Sequence, residues 1–265
     1  MKLALTLFAA AAFAFAQQRP AASAATPAAP AGPIERMPDG HPNLEGIWQP
    51  RTSGAAYSIL PHEAGFFLGG GSDTGVVEGG VLPYQPWAAE VAKQLTQHME
   101  LDPTGHCHYE GIPHANYFGF QIFQTPQQIA VLYENMHARR IIYMTGRHPA
   151  DYLAWMGDSR GRWEGDTLVV DVANNNDKSV YDMAGHFHSD AEHVIERFTM
   201  VDHDNINWEA TIEDPKVFTR PWKMKFPLRR AAKDQEILES GCFEGERDAV
   251  HLVEGLASTG DHYKQ

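Results

Sequence analysis

The sequence predicts a mainly β protein: an antiparallel meander closed into a barrel, with one helix on its N-terminal side and a β-sandwich as the alternative architecture. Three observations carry this. Short runs rich in Val, Ile, Tyr, Phe and Trp recur along the second half of the chain. Gly, Pro, Asn and Asp bound them, as turn residues bound strands. No helical pattern separates one run from the next, which argues for a meander, and closure into a barrel removes the exposed edges.

Lys2 followed by the apolar run Leu3 to Ala16 and an Ala14-Phe15-Ala16 cleavage pattern reads as a signal peptide over residues 1–16. That run is too short for a membrane span, which needs about 20 residues. It places the mature chain in a periplasm or outside the cell, with no membrane span. Residues 17–37 are Ala/Pro-rich and read as a linker, because such composition buries too little surface to fix itself. Residues 38–265 form the single barrel domain. A first strand is expected over Asn43 to Trp48. Gly69-Gly70-Gly71 lacks the ending of a phosphate loop and reads as a plain loop. Trp87, Val91, Leu95 and His98/Met99 recur at helical spacing between Pro86 and Leu101 and predict one amphipathic helix.

Further strands are expected over 119–124, 128–134, 139–145, 167–172, 193–201, 205–212, 221–228 and 236–240. Glu164-Gly165-Asp166 predicts a tight hairpin, and Asp202-His203-Asp204-Asn205 another turn. The chain carries 34 acidic against 21 basic residues, a net charge of -13, which repels phosphate backbones and excludes nucleic acid as an expected partner. Two cysteines, Cys107 and Cys242, fit one disulfide in an oxidising compartment. The alternative is Cys107 as a nucleophile flanked by His106 and His108.

Two segments, Trp155-Met156-Gly157-Asp158-Ser159-Arg160-Gly161-Arg162-Trp163-Glu164-Gly165-Asp166-Thr167-Leu168-Val169-Val170 and His186-Phe187-His188-Ser189-Asp190-Ala191-Glu192-His193-Val194-Ile195-Glu196-Arg197-Phe198, resemble signatures of a group of exported bacterial proteins of unassigned function. Ile212-Glu213-Asp214-Pro215 with Phe218-Thr219-Arg220-Pro221-Trp222 resembles a third. The resemblance implies export and a β fold and brings no reaction with it. The strand and turn content also resembles lipocalin-like (calycin) barrels.

Histidine is abundant, at 14 residues. An imidazole exchanges protons near neutral pH, so strand-end histidines are candidates for general acid–base work. Tyr133, Asn135 and His137 share one face if their strand runs that far. His186 and His188 are two apart; His193 and Arg197 share a strand face, with Glu196 on the other. The expected catalytic residues are His137, His188, His193 and Glu196, with Tyr133, Arg139, Trp155, Asp158 and Arg197 binding substrate. No cofactor is expected; the alternative is zinc on His186, His188 and His193. Ser159, in Gly157-Asp158-Ser159-Arg160-Gly161, lacks the strand-to-helix context of a nucleophile elbow, so a Ser-centred triad is not expected. These residues point to an exported enzyme acting on a small hydroxylated or cyclic organic molecule in a barrel pocket, as a lyase, isomerase or hydrolase. The alternatives are a lipocalin-like binding protein without chemistry and a zinc-dependent hydrolase.

Overall fold

Nine strands close into one barrel in the computed structural model, which describes residues 32–52, 54–62, 75–98 and 101–238. The described residues belong to one compact unit. The strands are β1 (Gly46–Pro50), β2 (Phe120–Gln124), β3 (Gln128–Tyr133), β4 (Arg139–Tyr143), β5 (Asp158–Glu164), β6 (Thr167–Ala173), β7 (His193–Asp202), β8 (Asn205–Glu213) and β9 (Trp222–Arg230). They pair in chain order, and β1 closes on β9. The proposed signal peptide, Gly69-Gly70-Gly71 and Cys242 lie outside the described residues.

One pair departs from the expected antiparallel meander: β4 and β5 are parallel. Parity requires such a pair. Strand direction cannot alternate around a closed ring of nine without one neighbouring pair running the same way. The connection over 144–157 therefore doubles back so that the start of β5 runs beside the end of β4, with Ile142 opposite Ser159 and Tyr143 opposite Arg160. We call it the strap.

The same directions sort the loops. Residues 125–127, 165–166 and 203–204 make short turns at one end. The remaining connections (51–119, 134–138, 174–192 and 214–221) all emerge at the other end, the mouth. Gly165 takes φ +61 in the turn between β5 and β6, where its lack of a Cβ matters.

Alternation decides what fills the interior. In β7 to β9 every second residue is buried: Val194, Glu196, Phe198 and Met200; Ile206, Trp208, Ala210 and Ile212; Trp222, Met224, Phe226 and Leu228. Trp48, Phe120, Ile122, Ile129, Val131 and Ile142 complete the core from the other strands. Side chains pack this small barrel from within.

Several element boundaries differ from expectation, β1 running over Gly46–Pro50 and not 43–48 among them, and two of the differences have a visible cause. The helix α1 spans Pro86–Leu95 and does not reach Leu101. The Thr96 hydroxyl donates to the Lys93 carbonyl (2.9 Å), and the next backbone bonds tighten to three-residue turns. No strand forms over the described part of 236–240: Glu236 to Leu238 has no ladder partner. The barrel is already closed by β1 on β9, so neither flank has a vacant edge for a tenth strand. No helix of the described residues is long and apolar enough to cross a membrane.

Candidate functional site

The mouth loops are tied together through one segment, 174–192. Asp182 accepts hydrogen bonds from the Ile59 amide (2.7 Å) and pairs with His186 Nδ1 (2.6 Å). His114 Nδ1 meets the Val180 carbonyl at 2.9 Å. Asp214 accepts from the Ser189 amide (2.6 Å) and hydroxyl (2.9 Å). Each anchor is a buried acceptor or imidazole filled by a partner from another loop, the condition for burying polar groups without large cost.

Between this segment and α1 lies a groove of about 670 Å³. Trp87, Val91, Leu95, Phe187 and Val217 give it an apolar lining, and Asp177, His188 and Ser189 supply polar groups. Its size and composition are those of a small-molecule site. The groove lies outside the barrel, at its mouth.

His188 forms part of that wall and is the centre of a buried chain of polar groups. Its Nε2 stands 2.8 Å from Ser179 Oγ, and its Nδ1 lies 3.4 Å from Glu192 Oε2 and 3.1 Å from the Ser189 carbonyl. Tyr181 donates its hydroxyl to Glu192 Oε1 at 2.6 Å. Burial pushes the Glu192 carboxyl up to about 7, against the pull of His188 and the Tyr181 hydroxyl. The result is a serine–imidazole–carboxyl sequence that the serine's surroundings in the sequence do not announce. Gly111, at φ +75, passes directly over it: a Cβ there would stand 2.3 Å from Ser179 Oγ.

A second polar set lies inside the barrel. Glu196, fully buried on β7, takes a charge-assisted bond from Arg140 Nη2 on β4, accepts from Asn116 Nδ2 (2.6 Å) and accepts from Trp208 Nε1 (3.1 Å). Arg140 also donates Nε to Ser159 Oγ (2.8 Å), and Tyr133 donates to Asn116 Oδ1 (2.9 Å). Burial opposes the Arg140 charge, but Glu196 and the Tyr133 oxygen more than offset it and hold its pKa above the usual guanidinium value. Burial drives the Tyr133 phenol up to about 12. Glu196 and Tyr133 are thus brought together, but as an internal pair and its hydrogen-bonding shell, away from the groove lining.

A third set lies on the outer face under the strap. His148 Nδ1 meets Asp158 Oδ2 (2.6 Å), and His148 Nε2 meets Asp171 Oδ1 (3.1 Å). His193 Nε2 meets the same Asp171 oxygen at 2.8 Å. Burial raises Asp171, but the two imidazoles outweigh it and bring the carboxyl below its ordinary value. Asp158 is further held by Arg160 through both carboxylate oxygens (2.7 and 2.9 Å).

The remaining expected residues are dispersed. The strand does not carry Tyr133, Asn135 and His137 on one face: β3 ends at Tyr133, and Met136 (φ 56) and His137 (φ 50) turn the chain in left-handed conformations. His137 is exposed on that turn, while Asn135 reaches inward and donates to the buried Glu110. Arg139 faces outward on β4, and Arg197 pairs with Glu164 (2.9 Å) on the barrel's outside. Trp155 stacks on His108 at 4.8 Å. His186, His188 and His193 point to three different partners (Asp182, Ser179 and Asp171), so they do not converge on one zinc ion. Among the described residues no group of three or more His, Cys, Asp or Glu could hold a metal ion. No described cysteine is free; the partner expected for Cys107 lies outside the described residues.

No family model, curated protein or solved structure matches the chain.

Proposed function

We propose that the protein binds a small, largely apolar organic molecule in the mouth groove and acts on it by general acid–base catalysis through His188. One observation carries this reading: the groove wall contains an imidazole whose nitrogens lie 2.8 Å from a serine hydroxyl and 3.4 Å from a buried carboxyl. A carboxyl raised to about 7 exchanges its proton near neutrality, so Glu192 can take up or release charge as His188 works. The apolar lining would hold the body of the substrate, and Ser189 and Asp177 its polar group. The reaction is of the hydrolase or lyase/isomerase type. These part at Ser179: a hydrolase of serine type needs its oxygen as nucleophile, whereas direct proton transfer by His188 does not. The N-terminal pattern of Lys2, an apolar run and Ala-x-Ala supports export to a periplasm or beyond.

A second reading has its own support. Both His188 nitrogens are engaged within the protein, which suits a rigid binding groove without chemistry. A panel of small esters, lactones and hydroxylated cyclic compounds, screened by quenching of Trp87 at the groove edge, separates the two. For an enzyme, His188→Gln lowers kcat/KM on the best substrate by about 10²–10⁴ while quenching persists. Ser179→Ala then assigns the reaction type. Binding without turnover of any bound compound supports the carrier, and no binding at all defeats both.

A further inference from the structure

We propose that His148 is a pH-operated clasp for the strap: doubly protonated, it holds the strap to the outer face of the barrel by bridging Asp158 on β5 and Asp171 on β6, and loss of one ring proton releases that grip. The clasp is separate from the mouth groove and does not depend on what binds there.

The contacts require the proton. His148 Nδ1 stands 2.6 Å from Asp158 Oδ2, and its Nε2 stands 3.1 Å from Asp171 Oδ1. An ionised carboxylate only accepts, so both ring nitrogens must donate, and only the imidazolium carries a hydrogen on each. A neutral ring keeps one bond and turns a bare lone pair on the other carboxylate. His193 differs. Its Nε2 meets Asp171 Oδ1 at 2.8 Å, a bond that one hydrogen satisfies in either charge state, and Glu213 Oε2 lies 3.9 Å from its Nδ1. Of the two imidazoles on Asp171, only His148 is committed to the charged form.

The charges around the ring agree. Arg160 on β5 holds Asp158 through both oxygens (2.7 and 2.9 Å) and donates to the Thr145 carbonyl at the start of the strap (3.1 Å). With His193 neutral, two carboxylates against one guanidinium leave one negative charge, which one proton on His148 cancels. Within the strap itself, Arg147 and Asp151 lie on either side of His148, exposed and opposite in sign. Burial raises the Asp171 carboxyl, but the imidazoles of His193 and His148 outweigh it and hold it below its ordinary value, so mild acid leaves the clasp shut. Rising pH opens it. The strap also braces the mouth. The Ala154 amide donates to the Asn174 carbonyl (2.9 Å), the Asn176 amide to the Ala154 carbonyl (3.0 Å), and Asn174 Nδ2 to the Pro149 carbonyl (2.8 Å). These bonds reach the start of 174–192, the segment that walls the groove.

Trypsin cleavage after Arg147, beside His148, reads the clasp, since a protease cuts the opened form. The rate in the full-length chain is followed by mass spectrometry and divided by the rate for a free peptide of the same sequence. That ratio should rise about tenfold between about pH 6 and about pH 8.5, as expected when opening releases one proton. Over the same range the nitrogen-15 shifts of His148 should change from two protonated ring nitrogens to one. His148→Gln should be cut fast already at the acid end, with no further rise, whereas His193→Gln should keep the rise. If His148→Gln fails to fold, Asp171→Asn gives the same reading, because its side-chain amide donates to a neutral ring and removes the pH dependence. A ratio that stays flat in the parent, or a rise that survives His148→Gln, overturns the proposal.

Discussion

Replacing Glu196 with Gln should destabilise the protein by about 3–5 kcal/mol, the usual consequence of leaving one member of a buried ion pair without its counter-charge. Glu196 is fully buried and Arg140 nearly so, with side-chain exposures of 0% and 2%. Glutamine keeps an acceptor for Asn116 Nδ2 and Trp208 Nε1, so the loss isolates the charge. Alanine would go further. It also strands those two donors, at about 1–3 kcal/mol each, and the total approaches the whole stability of a typical domain, about 5–15 kcal/mol. Glu196→Ala is therefore expected not to fold. Urea unfolding of the parent, Glu196→Gln, Arg140→Met and the double variant measures the coupling. The midpoint should fall sharply in each single variant with an unchanged slope, and the double variant should lie well above the sum of their losses. Loss of less than about 1 kcal/mol in Glu196→Gln would refute the pair as the internal keystone of the barrel. Function should follow stability here, because Glu196 does not line the groove.

Glu192, raised from 4.5 to about 7 by burial, gives a signed pH prediction. Its protonated form favours the folded state, so its contribution is full below pH 4.5 and is lost as pH rises through about 7. Glu192→Gln removes this titration, so stability measured by thermal melts should fall less steeply across that window in the variant than in the parent. An unchanged slope contradicts the burial of this carboxyl. Gly111→Ala should cost several kcal/mol, since it adds a Cβ 2.3 Å from Ser179 Oγ in a left-handed backbone conformation. A melting temperature unchanged in Gly111→Ala would show that the loop does not pass over Ser179.

Local periodicity made the barrel legible. The alternation in residues 193–201 and 205–212 already separated Glu196 from His193 and Arg197, and the structure places them on opposite faces. What the pattern could not supply is which face points inward. His193 and Arg197 turn outward, and Glu196 turns into the core to meet Arg140, fifty-six residues away. The parallel pair follows from the number of strands, which only closure fixes. The candidate site was legible in part. His188 stood out as one of a dense set of ionisable residues, but Ser179 and Glu192 carry no sequence signal, because a loop brings them together and not a periodic element. Asp171 did leave a mark, as a lone carboxylate in the apolar run Thr167-Leu168-Val169-Val170-Asp171-Val172. His148 left none, since it meets Asp158 and Asp171 only because the strap crosses the sheet.

The proposed function rests on His188 sensing whatever fills the groove. Nitrogen-15 spectra of the imidazole rings, recorded while a compound that quenches Trp87 is titrated in, test this directly. The His188 ring resonances should move and saturate with the same dissociation constant as the quenching. Quenching that saturates while those resonances stay fixed would separate the histidine from the ligand and contradict it.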